Sequence, residues 1–482
     1  MILSVFEHQW LKKADFACPS DFDWLIDQEF SVMSVSRRQG QWQLLTRQYI
    51  GVVCLPSGNL LEILPKVTGA LSPNTSELNT LTPSDNHSPQ SQSRQIGEAR
   101  AWLQQMLSDI SGFSQIDLSP KSLNQASHQL QSAELTASST LPLSDWLYQE
   151  FARLLAQYTP IQQYVSHQQN SSQLRGKLIL SEQLRRNAHL PHRFFSEHQS
   201  LARDSISNRL ITKAWQQLLT LYTHDSHNPV HHSPSQLQNT LGISASSSIR
   251  QWSQMPALTN HEMSQMNQSY HQAQKELRAA MISAEQRRLG KQILSLAYWI
   301  LAARTAPPGF GVHLAADTNN ISSVNLARHC LFINMNHAFE AWSSAKVSQL
   351  YQTDSRYQVQ YQAAKPWAFT ENHQPCVTVT PDILINFEHK PHHIAEVKYK
   401  RIANIAQLSA RDVYQLAAYA DAYRVGEAWL IYPISSSQAA LPPSTHTASL
   451  SITLANAQVL KIYLVPLWVE AGQLMIENIL VY

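Results

Sequence analysis

Apolar and polar positions alternate with a period of two in short stretches of the first part of the chain. Such stretches occur at 42–45 and 50–55, and Pro56-Ser57-Gly58-Asn59 separates the second from a further apolar run at 60–67. Two apolar runs around a Ser-Gly-Asn turn are typical of a β-hairpin. Residues 1–67 are therefore predicted to form a β-rich N-terminal domain.

Two polar stretches interrupt the chain. Residues 68–97 are rich in Ser, Thr, Asn, Gln and Pro, and residues 224–275 are rich in Ser and His and contain several prolines. Segments with so few large apolar side chains cannot bury enough surface to offset the entropy lost on folding. We expect the first to be a low-complexity insertion and the second to be a polar insertion or an exposed loop.

Helical periodicity dominates the region between the two polar stretches, so 98–223 is predicted to be a helical connector or partner-docking domain. One long helix is predicted from about 276 to 303. Helices and strands then alternate, which predicts a mixed sheet flanked by helices in a C-terminal domain at 276–482. The expected fold class is α/β, of a mixed α+β type.

Composition narrows the class of protein. A chain of 482 residues is too long for one ordinary domain. Its formal charge of +2, from 36 basic and 34 acidic side chains, provides no overall basic field, so any DNA contact needs a local patch. The four cysteines lie far apart without CxxC spacing, and no apolar run reaches membrane-spanning length. We expect a cytoplasmic protein without a zinc site, a disulfide framework or a membrane partner.

The candidate chemistry lies in the C-terminal third. Asp382 follows Pro381 at the start of an apolar run, and a second run contains Glu396-Val397-Lys398. Side chains alternate faces along a strand, so Glu396 and Lys398 share one face, and a hairpin would bring Asp382 beside them. Carboxylate oxygens suit Mg²⁺, which promotes phosphodiester hydrolysis. Alternatively, Asp382 is a turn residue and Glu396 and Lys398 belong to a solvated edge strand.

These residues resemble the PD-(D/E)xK nuclease motif, and two further elements resemble its RecB-like branch. Glu340 precedes the core strands, and Gln415 and Tyr419 form a Q-x-x-x-Y element on one helical face. The resemblance implies one or two Mg²⁺ ions held by Asp382, Glu396, Glu340 and the backbone carbonyl of Val397, with Lys398 orienting or deprotonating the nucleophile. Alternatively, Glu340 is a surface acid, and Gln415 and Tyr419 cap the sheet.

Three other segments resemble the McrC family, the nuclease component of McrBC 5-methylcytosine-dependent restriction systems. They are Leu61-Glu62-Ile63-Leu64-Pro65-Lys66-Val67, Arg175-Gly176-Lys177-Leu178 and the stretch from Asp204 to Lys213, with Asn208-Arg209-Leu210-Ile211 at its centre. An edge strand ended by proline explains the first segment equally well, and structural ion pairs explain both arginines. The candidates for contact with a partner or with DNA are Glu62, Pro65, Lys66, Arg175, Asn208 and Arg209.

The McrC resemblance implies a hexameric AAA+ GTPase of the McrB type as partner and double-stranded, methylated DNA as substrate. GTP would bind to the partner, because no G-x-x-x-x-G-K-[ST] sequence occurs in this chain. The expected function is that of a Mg²⁺-dependent DNA endonuclease subunit that also stimulates the GTPase. Two alternatives stay open: a stand-alone RecB-like exonuclease, and a non-catalytic activator of the GTPase.

Overall fold

The structure is a computed structural model. It describes residues 1–27, 32–38, 40–66, 89–112, 141–224, 249–302, 330–372, 374–400, 402, 408–435, 448–454 and 459–476. Residues 68–88 of the first predicted insertion and 225–248 of the second lie outside the described residues. The chain forms two compact units, one of Met1–Trp146 with Ala306–Tyr482 and one of Leu147–Thr305.

The first unit begins with two small sheets. Its N-terminal elements are β1 (Ile2–Phe6), β2 (Trp10–Leu11), α1 (Pro19–Asp27), β3 (Met33–Arg38), β4 (Gln41–Thr46), β5 (Tyr49–Cys54) and β6 (Leu60–Leu64). The predicted hairpin is confirmed, since β5 and β6 pair antiparallel. Strands β2, β4 and β3 form a separate antiparallel sheet.

The sheet that contains this hairpin takes a strand from much later in the chain. Strand β10 (Cys330–Asn334) pairs antiparallel with β5, and β1 pairs parallel with β6. The backbones of β5 and β10 approach closely at Gly51, where an added Cβ would lie 1.8 Å from the carbonyl oxygen of Leu331. The sheet therefore extends beyond the predicted 1–67 domain, because local periodicity carries no information about so distant a pairing.

The remainder of the first unit contains a larger mixed sheet. The elements of this part of the first unit are α2 (Pro89–Gly112), α9 (Met335–Tyr351), β11 (Tyr357–Tyr361), β12 (Lys365–Phe369), β13 (Pro375–Val379), β14 (Ile383–Phe387), β15 (Lys390–Val397), α10 (Ala410–Tyr423), β16 (Glu427–Ile434), β17 (Ser449–Thr453), β18 (Val459–Trp468) and β19 (Gln473–Leu474). In the larger sheet the strand order is β11-β14-β15-β16-β18-β17, and β19 pairs with β18. Strands β15, β16 and β18 are parallel, whereas β11, β14 and β17 run antiparallel to their neighbours.

Helix α10 covers one face of this sheet. Its buried side chains include Leu416, Ala420 and Tyr423, which join Leu430 and Ile462 of the strands in one apolar core. Ser409 caps the helix, because its hydroxyl accepts the N–H of Asp412. The predicted mixed α/β class is confirmed.

The second unit combines helices with a small antiparallel sheet. Its elements are the greater part of α3 (Leu143–Gln157), then β7 (Gln163–Ser171), β8 (Lys177–Leu178), α4 (Leu180–Asn187), β9 (Phe194–Ala202), α5 (Ile206–His224), α6 (Asn260–Ser264), α7 (Met266–Ala279) and α8 (Ala284–Ala302). Strands β7, β9 and β8 pair in that order. The region predicted as a helical connector thus also contains a sheet.

Two predictions in this unit are wrong. Residues 260–275, expected to be polar insertion or loop, lie in α6 and α7, because a Thr259 capping box and buried Met266 and Ala273 supply a helix start and an apolar face. The single helix predicted from 276 to 303 is two helices, since α8 begins with Ser283 Oγ accepting the N–H of Gln286. No helix among the residues described here is long and apolar enough to cross a membrane.

Candidate active site

The end of strand β15 and the start of strand β14 bring the predicted motif together. The strands pair antiparallel, with Ile383 opposite Ala395, so Asp382 lies beside the last residues of β15. The Val397 N–H donates to Asp382 Oδ2 at 2.8 Å. Glu396 and Lys398 lie on one face as predicted, because Lys398 Nζ donates to Glu396 Oε1 at 2.8 Å.

Helix α10 contributes both residues of the Q-x-x-x-Y element to this cluster. Gln415 Nε2 donates to Glu396 Oε1 at 2.8 Å, and Gln415 Oε1 accepts from Lys398 Nζ at 3.1 Å. Gln415 Nε2 also lies 2.7 Å from the Tyr419 hydroxyl. The glutamine therefore fixes the positions of both Glu396 and Lys398, which a residue that merely capped the sheet would not do.

Glu340 joins the cluster from helix α9 through a residue that the sequence did not single out. Gln362 Nε2 donates to Glu340 Oε1 at 2.5 Å and to Asp382 Oδ1 at 3.1 Å. Asn334 caps helix α9, because its side chain accepts the N–H of His337 and so fixes the first turn before Glu340. One amide nitrogen thus bridges two of the three predicted acids.

Burial makes the negative charge in this cluster costly. It raises the pKa of Glu396 to about 7, with a further contribution from the charge of Asp382. Burial also raises the pKa of Asp382, and burial together with the charge of Asp382 raises the pKa of Glu340. Burial acts to lower the pKa of Lys398, but its hydrogen bond and charge interaction with Glu396 outweigh this, so the pKa is raised and Lys398 is an ammonium donor.

The donor set fits a hard divalent cation. Glu396 is 4% exposed, and its Oε2 is buried without a hydrogen-bond partner among the described residues. Carboxylate oxygens of this kind are the ligands that Mg²⁺ prefers. In the described part of the chain, however, no three His, Cys, Asp or Glu side chains already enclose one point, and the Gln362 amide lies between Glu340 and Asp382. A cation would have to replace the hydrogen bonds of that amide.

The candidates for partner or DNA contact near the N-terminus are mostly buried. Glu62 is 1% exposed and pairs with Arg100 at 2.6 Å, and Pro65 is also buried. Lys66 is partly exposed, and burial lowers the pKa of its amine. Of these three residues, only Lys66 has a side chain that another molecule could reach.

The candidates in the second unit divide in the same way. Asn208 is 1% exposed. Its side-chain oxygen accepts the N–H of Ile161, and its side-chain nitrogen donates to the carbonyl oxygen of Ile161. Arg209 pairs with Asp204 at 2.5 Å and with Glu262 at 2.9 Å, as the structural alternative supposed. Arg175 is exposed in the turn between β7 and β8 and stays a candidate for contact with phosphate or with a partner.

Sequence reasoning also missed a buried contact behind the motif. Tyr399 donates its hydroxyl to Glu7 Oε1 at 2.6 Å, and the same oxygen accepts the N–H of Lys66 at 3.0 Å. The segment that contains Pro65 and Lys66 is thereby tied to the residue after Lys398. Glu7 is a lone acid after an apolar strand, and Gln362 is a single polar residue after another strand. Neither belongs to a local sequence pattern that would predict a role in the site.

A comparison with protein families identifies the group to which this chain belongs. The model of the McrBC 5-methylcytosine restriction system component matches residues 44–296 and 312–433, well over half of the chain. The chain belongs to the McrBC family. The match includes every residue of the site, from Glu340 to Tyr419, as well as the three segments that suggested McrC. No curated protein matches the sequence significantly.

Two solved structures of the McrBC system are similar to the chain. A half-complex from a tetradecameric assembly of Thermococcus gammatolerans McrB AAA+ hexamers with bound McrC has 15% identity over 98% of this chain and 97% of that chain, with a TM-score of 0.49. The cryo-EM structure of the Thermococcus gammatolerans McrBC complex has 14% identity over 72% and 88%, with a TM-score of 0.36.

Proposed function

We propose that this chain is the Mg²⁺-dependent DNA endonuclease subunit of an McrBC-type restriction system. The observation that carries the proposal is the convergence of Asp382, Glu396 and Lys398, with Glu340 and Gln415 beside them, in a chain of the McrBC family. A decayed nuclease fold that only activates a GTPase has no need for a lysine held between a buried carboxylate and an amide.

Each residue has a distinct part in the proposed reaction. Asp382, Glu396, Glu340 and the Val397 carbonyl would hold Mg²⁺, and a bound Mg²⁺ supplies polarisation of the phosphate and a water of lowered pKa. Lys398, fixed by Glu396 and Gln415, donates hydrogen bonds and so orients the attacking water or a phosphate oxygen. Gln415 in turn keeps the ammonium group from rotating away.

The proposed substrate is double-stranded, methylated DNA, and the proposed partner is a hexameric AAA+ GTPase of the McrB type, which binds the GTP. The family description of a restriction-system component supports a multi-protein assembly. The absence of a G-x-x-x-x-G-K-[ST] sequence from the chain supports a separate nucleotide-binding subunit. Cellular location follows that of the DNA, so we propose a cytoplasmic protein.

The proposal is tested by cleavage of methylated and unmethylated plasmid by the chain together with its AAA+ partner, GTP and Mg²⁺. Lys398→Ala should reduce cutting about 10²- to 10⁴-fold, the range for loss of a positioned proton-transfer or electrostatic group. Lys400→Ala is the matched control. Lys400 lies two residues after Lys398 in the same segment, but its ammonium group pairs with Asp412. It should cut normally.

Three outcomes separate the candidate functions. Normal cutting by Lys398→Ala would remove the site assignment. Degradation of DNA by the chain alone, with Mg²⁺ and without GTP or partner, would favour the stand-alone exonuclease. Stimulation of GTP hydrolysis with no cutting under any divalent metal would favour the non-catalytic activator.

A further inference from the structure

Gln362 occupies an unusual backbone position next to the proposed metal site. It is the residue after strand β11, and its φ of 48° lies in the left-handed region, which residues other than glycine seldom adopt. Its N–H donates to the Asp382 carbonyl oxygen at 3.0 Å. The chain then leaves as the β12–β13 hairpin and returns at Asp382. The backbone thus holds Gln362 beside Asp382 at the base of this hairpin.

The Gln362 side chain reaches the same two acids that the metal site needs. Its Nε2 lies 2.5 Å from Glu340 Oε1 and 3.1 Å from Asp382 Oδ1. A half-turn about the last side-chain torsion exchanges the amide nitrogen and oxygen without moving the rest of the side chain, since the two atoms have nearly the same size, and a cation would replace the two hydrogen bonds that are lost. After that exchange, three oxygens from three side chains would face one another.

An independent observation indicates that a cation belongs at this cluster. Glu396, at 4% exposure, has a buried Oε2 without a hydrogen-bond partner among the described residues. Glu396 belongs to the same cluster as Asp382, because the N–H of the next residue, Val397, donates to Asp382 Oδ2 at 2.8 Å. A buried carboxylate oxygen without a partner is costly, and a bound cation would supply that partner.

We infer that Gln362 is a ligand of the metal, through its Oε1, and that it completes an oxygen set with Glu340 and Asp382. The inference rests on the proposed metal site and names one more residue of it. In an octahedral Mg²⁺ site with bonds of about 2.0–2.1 Å, neighbouring ligand oxygens are about 2.8–3.0 Å apart. The separations of 2.5 and 3.1 Å around the Gln362 amide bracket that spacing.

The test is direct metal binding by the full chain, measured as free Mn²⁺ by electron paramagnetic resonance during titration. Gln362→Met keeps the length of the side chain but has no amide oxygen, and it should bind Mn²⁺ about tenfold or more weakly. Gln362→Glu keeps an oxygen at the same reach but cannot donate a hydrogen bond. It should bind Mn²⁺ as tightly as the wild type or more tightly.

The opposite pattern would overturn the inference. If the amide served only as a hydrogen-bond bridge between the acids, its loss would free their oxygens, and Gln362→Met would bind Mn²⁺ at or above wild-type affinity. That result would refute the inference, whereas tight binding by Gln362→Glu supports it only together with weak binding by Gln362→Met, because the added charge also attracts the cation. If circular dichroism shows that Gln362→Met does not fold, Gln362→Asn replaces it, because this substitution withdraws the amide oxygen by one methylene. Gln362→Asn should also weaken Mn²⁺ binding, and wild-type affinity in that variant would refute the inference.

Asp382→Ala separates this inference from the proposed function. Its Mn²⁺ titration defines the background from metal bound elsewhere on the chain. If Asp382→Ala loses binding and Gln362→Met does not, the metal site stands and the role of Gln362 falls. If Asp382→Ala binds as the wild type does, the proposed metal site itself falls.

Discussion

Glu62 is the residue whose replacement should most clearly separate a structural role from a partner-binding one. Its carboxylate accepts hydrogen bonds from Arg100 Nη2 at 2.6 Å, Ser4 Oγ at 2.7 Å and the Leu143 N–H at 2.8 Å. Through them one buried side chain joins β6 to β1, α2 and the start of α3. We expect Glu62→Ala to destabilise the first unit rather than to weaken attachment of a partner selectively.

The expected magnitude follows from burial. The side chains of Glu62 and Arg100 are 1% and 16% exposed, so solvent screens the pair weakly. Removal of one partner of a buried ion pair costs about 3–5 kcal/mol, because the remaining charge loses its counterion. With a urea dependence of about 3 kcal/mol per molar, the midpoint should fall by about 1–1.7 M. Glu62→Gln keeps the shape and should lose less.

The assay is urea unfolding followed by tryptophan fluorescence. Glu98→Ala provides the matched control, because its pair with Arg94 lies on the same helix α2 at 43% and 80% exposure. Exposed pairs contribute about 0–1 kcal/mol, so this control should shift the midpoint little. A Glu62→Ala protein with the wild-type midpoint would refute the reasoning and return Glu62 to the candidates for partner contact.

Three further predictions concern stability. Burial raises the pKa of Glu7 from 4.5 in the unfolded chain to about 7 in the folded one. As the pH rises between these values, the unfolded chain ionises first, so the free energy of unfolding of the wild type should fall by about 3 kcal/mol relative to that of Glu7→Gln. Equal differences in urea midpoint at pH 4.5 and pH 8 would contradict this. Asn208→Ala leaves buried backbone groups of Ile161 without their partners and should cost about 3 kcal/mol in thermal unfolding, whereas exposed Asn260→Ala should cost little; equal losses would argue against a structural Asn208. Gly51→Ala should destabilise more than Gly58→Ala, since only the former adds a contact of 1.8 Å to the strain of positive φ, and the reverse order of melting temperatures would exclude that close approach.

The local parts of the site could be predicted from the sequence because strand periodicity fixes relative facing. Glu396 and Lys398 are two residues apart on one strand, and Gln415 and Tyr419 are four apart on one helix, so each pair shares a face. The β5–β6 hairpin was predictable for the same reason, since its turn residues lie between two apolar runs. In each case the interacting groups lie close together in the chain.

The contacts that escaped prediction join residues far apart in the chain. Gln362, which follows β11, donates a hydrogen bond to Glu340 of helix α9. Glu7, near the start of the chain, accepts a hydrogen bond from Tyr399 in the C-terminal third. No period or spacing records such an approach. Glu62 was predicted as a candidate for partner or DNA contact, because the local sequence could not show that Arg100 pairs with it.

The pairing of β5 with β10 has a consequence for biosynthesis. The ribosome adds about 5–20 residues per second, so roughly ten to fifty seconds separate the completion of β6 from the arrival of β10. During that interval the β10 side of β5 is an open edge, and Val52 and Val53, which are 2% and 0% exposed in the finished sheet, have a neighbouring strand only on the β6 side. The contiguous second unit, Leu147–Thr305, is complete within the same interval. Expression conditions that slow elongation should therefore favour aggregation through the N-terminal hairpin, and chaperones that cover strand edges should raise the yield of folded protein.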